Sequence, residues 1–265
     1  MNLLICGPGR AGGALALAAS AAGHDIAGFV SRSPLPAGLA GRYSAYVYGD
    51  ALPPTELLVV AVRDGAISEV SQRLAEQPLE AHAAIHLSGF TAVTGLAALE
   101  ALGIPVGSFH PLQTLPNPED GSRALAGSWA GITAEPPLRG RLVEFAASLG
   151  MHHFDLNDEA KPAYHAAASA ASNFVVAALA IAADLFEAAH VPLSAARPLT
   201  EQVTRNVFDL GGGAALTGPI ARGDWETVRG QLVAADDAGV GAAFRLLAEA
   251  TAAMAGVSIP AAVRR

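Results

Sequence analysis

Lys161, His165, Ser169 and Asn173 recur at intervals of four in an otherwise Ala- and Val-rich stretch, with Ser172 beside them. Residues four apart on a helix share a face, so this spacing predicts a polar stripe on an apolar rod. Such a stripe is costly to bury unless it lines a wet cleft or finds partners. A lysine and a histidine one turn apart can share proton donation to a carbonyl oxygen, and Asn173 can orient a substrate. The competing reading is structural: Lys161 solvated in the first turn, and the others hydrogen-bonded between helices.

A second group of residues is suited to holding phosphates. The apolar run Leu3 to Cys6 leads directly into Gly7-Pro8-Gly9-Arg10-Ala11-Gly12 and then an alanine-rich segment ending at Gly23. This reads as strand, tight turn and helix. Gly7 permits the turn, Gly9 lets the backbone approach a pyrophosphate, and Gly12 allows the helix to pack closely on the strand. The N–H groups of the first helical turn, at Arg10 and Ala11, then face the phosphates together with the helix dipole. A second strand, Ile26 to Val30, follows at the distance a dinucleotide fingerprint requires. It ends in Ser31-Arg32-Ser33 without the Asp or Glu that grips ribose hydroxyls. A guanidinium flanked by two hydroxyls suits a 2′-phosphate, which favours NADP(H) over NAD, unless Arg32 is a solvated loop charge.

Ligands of open α/β sheets sit beyond the carboxyl ends of the strands. Val62-Arg63-Asp64, His86-Leu87-Ser88-Gly89 and His110-Pro111-Leu112-Gln113-Thr114 each follow a predicted strand. Val62, Ser88 and His110 are therefore expected at the floor of a nicotinamide and substrate site. Farther on, Arg222 in Leu216–Asp224 is a candidate clamp for a substrate carboxylate, and Asp224 a candidate N-cap for the following helix.

The elements that must position these residues alternate. Strands are expected at Ala45 to Tyr48, Leu57 to Val62, Ala84 to Leu87, Val106 to Phe109, Gly131 to Ala134 and His152 to Leu156, with helices such as Ala66 to Glu76 and Leu138 to Leu149 between them. That alternation implies an α/β fold with a doubly wound, mostly parallel sheet. From Asp158 only helices follow: about Glu159 to His190, Ser194 to Leu210, one after Asp224, and Val240 to Ala255. The expected domains are residues 1–156, binding dinucleotide, and 157–265, helical.

Composition narrows the function classes. A net charge of −8 with no offsetting basic cluster argues against nucleic-acid or anionic-membrane partners. The lone Cys6 cannot form an intrachain disulfide, which fits a reducing cytoplasm. His152 and His153 point to opposite faces of a strand, and no metal site is expected. The apolar stretch Ala166 to Ala183 approaches membrane-spanning length, but its Ser169, Ser172 and Asn173 favour a buried helix of a soluble domain.

Taken together, GPGRAG, VAVRD, HLSG, SFHPLQTL, KPAYHAAASAASNF and LTGPIARGD resemble, over nearly the whole chain, Rossmann-like proteins with a helical C-terminal domain. That group is similar to the superfamily of phosphogluconate dehydrogenase, hydroxyisobutyrate dehydrogenase, prephenate dehydrogenase, pyrroline-carboxylate reductase and ketopantoate reductase. The resemblance implies an NADP-linked reductase with its active site between two domains and a homodimer formed through the helical domain. Lys161, preceding Pro162 and so expected to be mobile at a helix entrance, matches a catalytic lysine of several relatives. His110-Pro111 resembles the His-Pro turn of the prephenate dehydrogenases. The expected activity is hydride transfer from NADPH to a small carbonyl compound such as a 2-oxo acid, ketopantoate included. Imine reduction, exchange with a deazaflavin, and a non-catalytic NADP(H) redox sensor are the alternatives.

Overall fold

Side-chain alternation in the first strand sets the architecture. In β1 (Asn2–Cys6), Leu3 and Ile5 join one core cluster and Leu4 and Cys6 another, and all four are buried. A strand buried on both faces needs helices on both sides of its sheet. The computed structural model, which describes residues 1–263, supplies them. The strands are β2 (Asp25–Val30), β3 (Ala45–Tyr46), β4 (Leu57–Val60), β5 (Ala84–His86), β6 (Val106–Leu112), β7 (Trp129–Ala134) and β8 (His152–Asp155). They form one sheet in the order β3-β2-β1-β4-β5-β6-β7-β8. Helices α1 (Arg10–Ala21), α2 (Ile67–Ala75), α3 (Ala97–Glu100), α4 (Pro118–Leu125) and α5 (Leu138–Ser148) lie between the strands in sequence. Leu15 of α1 and Phe145 of α5 pack in the cluster of Leu3 and Ile5, whereas Val70 and Leu74 of α2 pack with Leu4 and Cys6. This is the doubly wound α/β fold expected.

Strand order reverses between β1 and β4, and that is where such sheets bind their ligands. Pairing is parallel from β3 to β6, antiparallel between β6 and β7, and parallel again between β7 and β8. The strands β3 and β4 are shorter than expected. The strand β6 is longer, running through His110 and Pro111 to Leu112, so that His110 sits within a strand and not in a turn after one. Proline is tolerated there because β5 pairs β6 only as far as Ser108, leaving the far edge without a ladder that needs Pro111 to donate.

The chain divides into two compact units, Met1–Ser169 and Ala170–Arg265. The expected boundary at 156/157 marks the end of the strand pattern. The first two turns of α6 (Lys161–Ala188) go with the sheet unit, to which Lys161 and Tyr164 are bonded. The second unit contains the rest of α6 with α7 (Arg197–Leu210), α8 (Gly212–Ala215), α9 (Pro219–Arg222), α10 (Trp225–Asp237) and α11 (Gly241–Met254). Its core joins Val228 and Leu232 of α10 to Ala248 and Ala252 of α11, with Ile259 and Val263. Asp224 caps α10 as expected, accepting from the backbone N–H of Thr227 at 3.4 Å and from its hydroxyl at 2.8 Å.

One expectation is overturned: α6 is not buried within the chain. Phe174 is 64% exposed and Val176 67%. The core of the helical unit is filled by α10, α11 and the segment after them, leaving Phe174, Val175 and Val176 of α6 exposed. Residues Asp158–Ala188 are long and apolar enough by length and composition to cross a membrane, with a mean hydropathy of 1.8 over an 18-residue window.

Candidate functional site

A cleft of ≈ 470 Å³ opens at the switch point and is lined by Gly7, Pro8, Gly9, Val30, Ser31, Arg32, Ser33, Tyr48, Ala61, Val62, Arg63, Ala66 and Val70. The structure thus gathers Gly7, Gly9, Ser31, Arg32, Ser33 and Val62 from three separate stretches of sequence. Tyr48 and Arg63 were not among the expected cofactor residues. Tyr48 comes from the poorly patterned segment after β3 and is held there by its hydroxyl contact with Cys6 Sγ at 3.1 Å, by the core cluster of Leu4 and Cys6 and by the Arg73 guanidinium over its ring. Burial pushes the Cys6 thiol up to about 11, so it stays protonated at neutral pH.

Glycine is required in this turn for two different reasons. Gly7 has φ +108°, and a Cβ on it would lie 2.4 Å from the carbonyl oxygen of Ala61. A Cβ on Gly12 would meet the carbonyl oxygen of Gly7 at 2.1 Å, so α1 approaches the turn as closely as backbones can. Gly9, in contrast, has φ −71° and open space beyond it. It is the N-cap of α1, with no side-chain cap and no acidic residue in the first turn, which leaves the amides near Arg10 and Ala11 suited to an anion.

The second cluster forms where α6 meets β5 and β6. Lys161 is fully buried, and its ammonium donates to Thr91 O at 2.8 Å and Ser108 Oγ at 3.0 Å and pairs with Asp158 Oδ1 at 2.8 Å. Those contacts commit all three hydrogens. Asp158 also accepts from the backbone N–H of Val93 at 3.1 Å. The expectation of a mobile lysine at a solvent-lined helix entrance is therefore corrected: Lys161 is a cation pinned inside the sheet unit. Burial holds its pKa below the ordinary lysine value.

Ser88 Oγ accepts from the backbone N–H groups of Phe90 at 3.0 Å and Thr91 at 2.8 Å, so it shapes its own loop rather than facing outward. His86 is fully buried, and burial first, then the Lys161 charge, push it down to about 4. The four-residue stripe does not share one face, because each step of four overshoots a full turn by about 40°. Lys161 is buried, His165 and Ser169 half-buried and Asn173 exposed, the last on the segment of α6 that opens the helical unit. Arg222, at the end of α9, is exposed.

The residue that sequence reasoning missed is Tyr164. Its hydroxyl lies 2.6 Å from His110 Nδ1, with the two rings perpendicular at 88°. Phe154 packs against Tyr164, and His165 approaches both His110 and Phe90. Gly89 admits the His110 ring, since a Cβ there would come within 2.8 Å of it. Burial, with His165 next, pushes His110 down to about 4, so it is neutral at pH 7. Burial raises Tyr164 to about 12, so it stays a phenol.

A family model described only as a domain of unknown function (DUF2520) matches residues 128–251. No curated protein matches the chain. Among solved structures, a Bacteroides fragilis protein described as a provisional NADP oxidoreductase is 24% identical, with a TM-score of 0.79 over 95% of this chain and 98% of its own. An imine reductase from Myxococcus stipitatus, in complex with NADP+, is 16% identical with a TM-score of 0.64, covering 97% of this chain and 93% of its own. Pyrroline carboxylate reductase from Plasmodium falciparum, with NADP bound, is 11% identical with a TM-score of 0.60 over 96% and 99%. These likenesses extend across both units and establish the fold.

Proposed function

We propose that the chain is an NADP(H)-dependent oxidoreductase that reduces a small carbonyl or imine compound. The observation that carries this reading is the cleft at the switch point, which joins an uncapped helix N-terminus at Gly9 to Ser31, Arg32 and Ser33. The donor set fits the cofactor: Gly7, Gly9, Arg10, Ala11 and Gly12 would hold the pyrophosphate, and the Ser31-Arg32-Ser33 segment the 2′-phosphate. When bound, the nicotinamide supplies a hydride. His165 is assigned to the substrate beside His110, and Lys161 to tying the loop after β5 to β6. Solved structures of similar fold described with NADP or NADPH support the choice of cofactor.

Imine reduction is favoured over a 2-oxo acid by one observation: the Lys161 ammonium is already committed, so it offers no free cation to a carboxylate beside His110. The exposed apolar side of α6 supports the reading of a homodimer formed through the helical unit, and the free, buried Cys6 that of a cytoplasmic protein. Titration with NADPH and NADH, followed by NADPH oxidation against 2-oxo acids and cyclic imines, tests the whole reading. Tight NADPH binding with turnover of at least one class is expected; absence of NADPH binding would overturn it.

A further inference from the structure

We infer that Tyr164 is the group that gives the proton to the reduced substrate, and that His110 is its positioning residue. This inference rests on the reductase reading above and goes beyond it, since it assigns the proton step to one hydroxyl.

The geometry singles out that hydroxyl. Lys161, one turn before, has each ammonium hydrogen directed to a fixed acceptor and has no exposure. Ser108 and Ser88 are likewise engaged, the first with Lys161 and the second with its own loop. Tyr164 is half-buried, and its hydroxyl partner is the imidazole 2.6 Å away. The imidazole is held by the β6 backbone it belongs to, by Gly89 against its face, and by the Tyr164 ring perpendicular to it. The charges acting on it are His165 and Lys161, which favour its neutral form, and Asp64, which opposes them. His110 stands on β6, separated by β5 alone from the switch-point strand β4, after which Arg63 of the cleft and Asp64 follow.

A neutral imidazole carries one proton. With that proton on Nδ1, His110 donates to the phenol oxygen and the phenol hydrogen is free to point at the substrate. The substrate carbon accepts a hydride, the carbon–oxygen or carbon–nitrogen π bond breaks onto the heteroatom, and that atom takes the proton of Tyr164 Oη. The phenolate left behind is held by the Nδ1–H of His110 until water reprotonates it. With the proton on Nε2 instead, the phenol hydrogen would be spent on His110 and the step would fail.

Two measurements test this. In 15N-histidine spectra of the wild-type protein at pH 7, His110 is expected as the Nδ1–H tautomer; the Nε2–H tautomer would overturn the assignment, whichever substrate is used. In single-turnover NADPH oxidation, Tyr164→Phe should slow the chemical step about 100- to 10,000-fold with NADPH affinity within about twofold of wild type. His110→Phe should slow it about 10- to 100-fold. Wild-type turnover matched by Tyr164→Phe would sink the proton assignment alone, whereas wild-type protein that fails to bind NADPH would sink the reductase reading. If Tyr164→Phe does not fold, or no imine or 2-oxo acid is reduced, the tautomer decides.

Discussion

The two parts of the candidate site are built on opposite principles. The cleft at the switch point is shaped by backbone: glycines at positions 7 and 12 tolerate no Cβ, while its arginines extend freely into solvent. The cluster around His110 is shaped by side chains packed on one another, with a buried cation, a histidine and a phenol each fixed by a partner. The cleft can therefore lose a function without losing the fold, whereas the cluster cannot easily do so.

The strongest way to break that contrast is at Lys161. Lys161→Ala leaves Asp158 without its cation and Thr91 O and Ser108 without their donor, and should cost about 3 to 5 kcal/mol in urea unfolding. A loss under about 1 kcal/mol would show that the ammonium is not the pin described. At the cleft, Gly9→Val should keep the melting temperature yet weaken NADPH binding by at least about 100-fold, because open space surrounds the residue and the pyrophosphate would occupy it. Gly12→Val should do the reverse and unfold the protein, its side chain driven into the Gly7 carbonyl. Equal behaviour of the two variants in circular dichroism and cofactor titration would erase the distinction.

Arg32→Ala sharpens the comparison further. Removing one charge-assisted contact to the 2′-phosphate should cost roughly 10- to 100-fold in NADPH affinity while NADH binding and stability hold. An unchanged NADPH/NADH ratio in the variant would remove Arg32 from the cofactor site. Acid stability depends on two histidines. His86 and His110 titrate at about 4 in the folded chain against 6.5 when unperturbed, so the unfolded chain binds more protons between those values. Stability is thus full above about 6.5 and falls as pH drops toward 4. Melting curves at pH 7 and 4.5 for wild type and His110→Phe check it; the variant should lose less.

What was legible in the sequence follows the same division. The glycine turn, the strand after it and Ser31-Arg32-Ser33 are local patterns, and the cleft they form was readable from residue types alone. The cluster was not, because its bonds join residues far apart: Tyr164 to His110 across 54 positions, and Lys161 to Thr91 across 70. No local pattern tells a lysine at a helix start that its acceptors lie on β6 and in the loop after β5. The polar stripe misled for a related reason, since spacing by four describes a row that winds slowly around the helix. The overrun of β6 through Pro111 depended on an edge left free by β5, which is likewise a property of the assembled sheet.

The uncovered apolar side of α6 would make the thermodynamics of this chain depend on how much of it is present if copies of the chain associate through it. If a second copy covers Phe174, Val175 and Val176, unfolding becomes a second-order equilibrium, and the melting temperature rises with total protein concentration. Dilution would then act on the helical unit as a denaturant does, while the sheet unit, whose two cores are closed within one chain, would be indifferent to it.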